Sequence, residues 1–278
     1  MKTVIVLLSL AFVYAPANQL AYIFTHPPSY DNGISYRGSF DHESNLGFLL
    51  VGMIPIILIL KNITNNKIFK WLIFGLFLYL HIGIILNNYR TATLGLLVFW
   101  VIVFLYRFKS LSQVKKVGYI SASFVFMLTA FVLFADRIAD MFGDIYLIVS
   151  NPGLYFDFTG NAVPNKLMSG RIDIINTVMS VYIKSDIEQL LLGLGPSAIN
   201  NIIGVYAHNE FISALVETGI IGFIVFSVVL ITIIKRCNRV IKYDSIYALP
   251  AGSAVFAIIF MCLATMPFRN MRALMVVG

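Results

Sequence analysis

The feature that most constrains this chain is a series of continuously apolar blocks separated by short basic segments. Crossing a hydrocarbon core takes about 20 helical residues. Blocks approaching or exceeding that length run over roughly 3–24, 45–60, 70–88, 91–106, 117–135, 209–234 and 246–266. In lipid every backbone polar group needs a partner within the chain, so only helices and closed barrels can span. Barrel strands alternate apolar and polar residues; these blocks do not. With 59% hydrophobic and 12% charged residues, against roughly 25% charged in soluble domains, no soluble core of this size hides the apolar surface. The sequence predicts an all-α polytopic membrane protein with about seven transmembrane helices.

The first and second blocks are atypical. Met1-Lys2, an apolar run and Ala15-Pro16-Ala17 resemble a signal peptide with its cleavage site. Apolar character resumes through Leu20–Phe24, which favours a retained helix over a cleaved leader. The block 45–60 is short and contains Pro55, so its polar start at Asn45 is expected to dip below the membrane surface.

Charge sets the expected orientation. With the N-terminus in the cytoplasm, the inner loops hold Lys2; Lys61, Lys67 and Lys70; Arg107, Lys109, Lys115 and Lys116; and Lys235, Arg236, Arg239 and Lys242. Those are twelve of the 20 basic residues, accompanied by one acid, Asp244. The reverse orientation would leave all four basic clusters outside. The net charge of +7 is thereby explained without a nucleic-acid partner. Cys237 lies in a basic loop and Cys262 in an apolar run, so neither a disulfide nor a zinc site is expected.

Three regions follow. Residues 1–135 hold helices one to five with a short outer loop, 25–44. Residues 136–207 form a large extracytoplasmic loop, in which 171–184 reads as an amphipathic helix striped by Ile172, Ile175, Val178, Met179 and Tyr182. Residues 209–278 hold helices six and seven and a C-terminal tail. Within the loop, after the 171–184 helix, Gly193-Leu194-Gly195-Pro196 breaks the chain again.

The polar residues that invite a chemical reading gather at the predicted outer face. Arg90 follows Asn87, Asn88 and Tyr89 between two spans, where a cation needs a partner or an interfacial anchor. Arg171 opens a helix whose dipole opposes it, so a bound anion or Asp173 must favour it. His208 precedes the sixth span, Asn209 is placed to cap it, and Glu217 lies two turns further on and calls for a cation. Each also has a plainer role as anchor, cap or solvated group. His81, midway along the third span, reads as a helix–helix hydrogen bond. Asp136, Asp140 and Asp144 recur every four residues and read as a solvated helix edge. No nucleotide, zinc-protease or nucleophile-elbow motif occurs. If the chain is an enzyme, it is expected to need no cofactor and no metal.

Taken in order, several pieces resemble the O-antigen ligase and repeat-unit polymerase family. They are Tyr36-Arg37-Gly38-Ser39-Phe40 with Asn45-Leu46-Gly47, Asn88-Tyr89-Arg90-Thr91-Ala92, Gly170-Arg171, Leu192-Gly193-Leu194-Gly195, His208-Asn209-Glu210-Phe211 and Glu217-Thr218-Gly219-Ile220-Ile221-Gly222. The resemblance covers about residues 36–225. It implies a shortened member of a family of membrane glycosyltransferases, taken to be metal-independent, in the bacterial cytoplasmic membrane. The implied donor is an undecaprenyl-diphosphate-linked glycan, the acceptor a glycan or lipid core. Other membrane proteins of polysaccharide assembly are possible partners. The implied roles are diphosphate binding by Arg37, Arg90 and Arg171, catalysis by His208, Arg171 and Glu217, and support from Asn45 and Asn209.

Polymerase and ligase both fit the resemblance. A transporter or flippase of lipid-linked saccharides would need inverted repeats and polar groups at mid-membrane, and a non-catalytic membrane partner would need no site at all.

Overall fold

The computed structural model describes residues 2–26, 36, 43–87, 89–109, 112–114, 117, 135–156, 158, 170–204, 207–242 and 247–263, with the backbone alone over 2–13 and at a few further helical positions. Every element among them is helical. In chain order these are α1 (Lys2–Thr25), α2 (Glu43–Ile63), α3 (Lys67–Leu86), α4 (Arg90–Lys109), α5 (Ala135–Ser150), α6 (Pro152–Tyr155), α7 (Arg171–Ile183), α8 (Ile187–Leu192), α9 (Ala198–Ile203), α10 (Glu210–Ile241) and α11 (Ala248–Met261).

Among the described residues, four helices are long and apolar enough to cross a membrane: Ser44–Ile63, Lys67–Leu86, Arg90–Phe108 and Glu210–Ile241. The predicted block 45–60 is therefore too short, because the helix runs through Pro55 and extends at both ends. A proline removes one ladder donor, and tertiary burial around it outweighs that loss. The last predicted block, 246–266, contains a helix of only 14 residues, Ala248–Met261. The fifth, 117–135, falls almost wholly outside the described residues, as does most of the predicted outer loop 25–44; of the predicted loop 136–207, residues 157, 159–169 and 205–206 lie outside them.

The chain divides into two compact units, residues 1–106 with 229–278, and residues 107–228. In the first, α2 is the central helix. Leu46, Leu50, Val51, Met53, Ile54 and Ile57 share an apolar core with Leu80 and Ile84 of α3, Leu96 and Phe99 of α4, and Ala257 and Met261 of α11. The outer face of α3 leaves Ile68, Trp71, Leu72, Phe74 and Ile82 exposed, as a lipid-facing helix requires. Asn66 caps α3, its side-chain oxygen accepting from Ile68 N at 2.9 Å and Phe69 N at 3.3 Å. His81 is the expected link between helices. Trp100 Nε1 of α4 donates to His81 Nε2 at 2.9 Å, so the ring proton sits on Nδ1 and meets Phe77 O at 2.8 Å.

The second unit gathers α7, α8, α9 and the start of α10 around Val178, Tyr182, Ile199, Ala207 and Val216. The amphipathic helix predicted over 171–184 is present as α7. Its buried residues, however, are Ile172, Asn176, Val178, Ser180 and Tyr182, so two polar side chains sit inside and the single apolar stripe does not describe it. Asn176 Nδ2 donates to Tyr155 O at 2.6 Å and ties α6 to α7. The predicted break at Gly193 is where α8 ends.

Candidate active site

In the first unit, three of the sequence elements meet at one end. Tyr36 N donates to Leu86 O at 2.9 Å, fastening the residue before Arg37 to the end of α3. Arg37 itself lies outside the described residues. Two residues after Asn45, Gly47 faces the turn into α4: a Cβ there would lie 2.9 Å from Ala92 Cβ, 3.0 Å from Tyr89 Cδ1 and 3.2 Å from Asn87 Nδ2. Only a glycine lets α2 approach so closely. Phe48 adds an edge-on ring contact with Tyr89 at 6.1 Å. Arg90 opens α4 from this turn with its side chain exposed, while Asn87 and Thr91 on either side are buried. The cation is thus presented at the end of the bundle and the turn beneath it is packed.

The second unit holds Arg171, His208, Asn209 and Glu217. Gly170, in the left-handed region at φ 75, delivers the chain into α7, whose first residue is Arg171 and whose first turn carries Asp173. Through Ile174, Val178 and Tyr182, α7 shares its apolar cluster with Ala207 and with Ile212, Leu215 and Val216 of α10. The helix begun by Arg171 and the chain around His208 therefore belong to one packed body.

The start of α10 is built unusually. His208 adopts a left-handed backbone at φ 52, a region costly for a residue with a side chain and concentrated at functional sites. Asn209 follows as the cap, its side-chain oxygen accepting from Phe211 N at 2.9 Å and Ile212 N at 3.1 Å. Ser213 Oγ donates to Asn209 O at 3.0 Å. Glu210, Ser213 and Glu217 are all buried. At spacings of three and four they share one face of the helix, so the arm carries a buried polar stripe directly after His208.

That arm stops at Gly219, where φ 67 and ψ −174 break the helix. The expected single span over 209–234 is thus two segments, and Glu217 sits on the short arm before the break. Helical N–H groups no longer reach the carbonyls of Val216 and Glu217. Leu194 N and Gly195 N donate to them instead, at 2.8 and 3.2 Å. The Leu192-Gly193-Leu194-Gly195 turn thereby repairs the interrupted ladder. Tyr182 OH donates to Leu190 O at 2.6 Å and lies within hydrogen-bonding reach of the Ile220 backbone just past the break. Burial pushes its pKa up, so the phenol keeps the proton this bond needs.

Residues 74–227 match the family described as O-antigen ligase. The chain belongs to the O-antigen ligase family. No curated protein matches it. The matched stretch contains Arg90, Arg171, His208, Asn209 and Glu217. Family membership and the apolar helices make this O-antigen ligase-family chain a membrane enzyme of surface-polysaccharide assembly. Sequence reasoning named Glu210 only within the His208-Asn209-Glu210-Phe211 piece and overlooked Ser213, although their spacing with Glu217 was a readable signal. It also overlooked Gln19, whose side chain is fully buried on α1.

Proposed function

We propose that the chain is a glycosyltransferase that polymerises glycan repeat units carried on undecaprenyl diphosphate at the outer face of the bacterial cytoplasmic membrane. The observation that carries this reading is His208, held in a left-handed backbone ahead of a capped helix whose buried face bears Glu210, Ser213 and Glu217. In the proposed reaction an acceptor sugar hydroxyl attacks the anomeric carbon of the donor glycan. The bond from that carbon to the diphosphate oxygen breaks, and undecaprenyl diphosphate leaves with the bonding pair. His208 takes the hydroxyl proton on an imidazole nitrogen as general base.

Arg37, Arg90 and Arg171 are assigned to the diphosphate. Negative charge builds on the leaving group as the bond breaks, and cations already in place stabilise it. Guanidinium matches phosphate oxygens with paired donors and keeps its charge at any working pH. Glu217 positions one of these cations, Asn209 holds the helix start that presents His208, and Asn45 supports the turn beside Arg90. The basic loops are assigned to the cytoplasm, which puts the seven proposed spans in an N-terminus-inside arrangement with 136–207 outside.

The family description itself favours a second reading, transfer of a finished glycan to a lipid core. Cells lacking their repeat-unit polymerase, given the unmutated gene or His208→Ala, decide between them. Long polysaccharide from the first and single capped repeats from the second support polymerisation. Single repeats from both, with rescue of a ligase-deficient strain, support ligation. Full polymer from His208→Ala removes His208 from the reaction.

A further inference from the structure

Gln19 lies on α1 and is 0% exposed. An amide buried in apolar surroundings is costly unless its hydrogen bonds are made. Both Nε2 hydrogens are used, toward Tyr36 O at 2.8 Å and Gly83 O at 2.9 Å. Its Oε1 accepts from Tyr79 OH at 3.1 Å. Gly83 makes room, since a Cβ there would lie 2.6 Å from Gln19 Oε1. Two of these three bonds join α1 to α3, as polar residues in membrane bundles do. The third goes to a residue outside any helix. With Tyr36 N on Leu86 O, both backbone polar groups of Tyr36 are secured, the N–H by the end of α3 and the carbonyl by Gln19 of α1, whose amide is itself bonded to Gly83 O of α3. Arg37 is the next residue, and Arg90 lies four residues past Leu86.

We infer that Gln19 is a positioning residue: it locks the backbone of Tyr36, the residue before Arg37 in the chain, to the end of α3 that leads into Arg90. This rests on the reading in which Arg37 and Arg90 bind the donor diphosphate. A leucine in its place would fill the same space and leave Tyr36 O without its donor.

Two measurements test it in full-length protein purified in detergent or nanodiscs. The first is oxidative cross-linking of Tyr36→Cys with Leu86→Cys, in a Cys237→Ser, Cys262→Ala background. Gln19→Leu is expected to lower the cross-linking yield several-fold, and Tyr79→Phe to lower it less. Undiminished yield in Gln19→Leu overturns the inference, and where that variant does not fold, undiminished yield in Tyr79→Phe does so. The second is a mutant cycle on transfer from the lipid-linked donor. Gln19→Leu is expected to lower kcat/KM about 10- to 100-fold, mainly through KM, as displacement of a binding group does. The double variant with Arg37→Ala is expected to be no worse than Arg37→Ala alone. Effects that multiply overturn the coupling to Arg37. Full activity of Arg37→Ala would instead remove Arg37 from the donor site, while the cross-link still decides whether Gln19 places Tyr36.

Discussion

Gly193 and Gly219 meet backbone to backbone: a Cβ on Gly193 would lie 2.3 Å from Glu217 O, and one on Gly219 would lie 2.3 Å from Leu191 O. Each glycine therefore makes the other necessary. Gly219 breaks the helix, and the turn at Gly193 enters close enough to cap the carbonyls that the break exposes.

Alanine at either position should cost about 1–3 kcal/mol from the backbone conformation alone, with the backbone clash added. Both variants are expected to lose thermal stability in detergent and to aggregate on size exclusion. Gly75→Ala is the control, because a Cβ there meets nothing within 4 Å. It should leave stability unchanged or raise it by up to ~1 kcal/mol through helix propensity.

His208 has two separable properties, an imidazole and a left-handed backbone. Asparagine tolerates that backbone, so His208→Asn should remain folded and lose activity by about 10²- to 10⁴-fold, the range of a general base. His208→Ala should lose the same activity and about 1–2 kcal/mol of stability as well. Equal activity in His208→Asn and the unmutated protein would leave the histidine with a purely structural role.

Asn209→Ala should cost ~1 kcal/mol by removing the cap, and Asn209→Asp should restore most of it. The check is a thermal unfolding series on the three proteins.

Arg90 and Arg171 are expected to be intolerant even of lysine. A lysine preserves charge but not the planar pair of donors. Arg90→Lys and Arg171→Lys should each lower kcat/KM by about 10-fold or more, and the alanine variants by about 10²- to 10³-fold. Steady-state transfer rates against donor concentration measure both. Wild-type kinetics for the lysine variants would show that paired recognition is not used.

Tyr182 gives a pH signature. Its pKa is raised by burial in the folded protein, so the folded state binds its proton more tightly than the unfolded chain. The associated stability is fully present below the ordinary tyrosine value of about 10 and is lost as pH rises toward the raised folded value. Tyr182→Phe should cost about 1 kcal/mol at neutral pH by removing the bond to Leu190 O. Its stability should fall less than that of the unmutated protein above about pH 10. Parallel pH–stability curves for the two proteins would contradict this.

Much of the fold is written in local pattern. Apolar blocks recur along most of the chain with few charges among them, more than one soluble core could bury, so helix and membrane follow from composition and block pattern together. The helix 171–183 and the stop at Gly193 were likewise legible, because periodicity and punctuation are properties of neighbouring residues. Arg90, Arg171, His208 and Glu217 stand out in the sequence as polar groups at the ends of apolar helices, and their chemical roles are proposals.

The sequence by itself determined the class of protein, four of its long apolar helices and the residue types available for chemistry, because propensity and hydropathy act over one or two turns. Only the tertiary structure decided that Gly219 interrupts α10, that Glu210, Ser213 and Glu217 are buried together, and that Gln19 holds Tyr36 against α3. Those outcomes depend on which backbone groups lose their local partner and find a distant one. Gly193 and Gly219 stand 26 residues apart in the chain, and nothing short of packing tells a helix that its ladder will be completed from there.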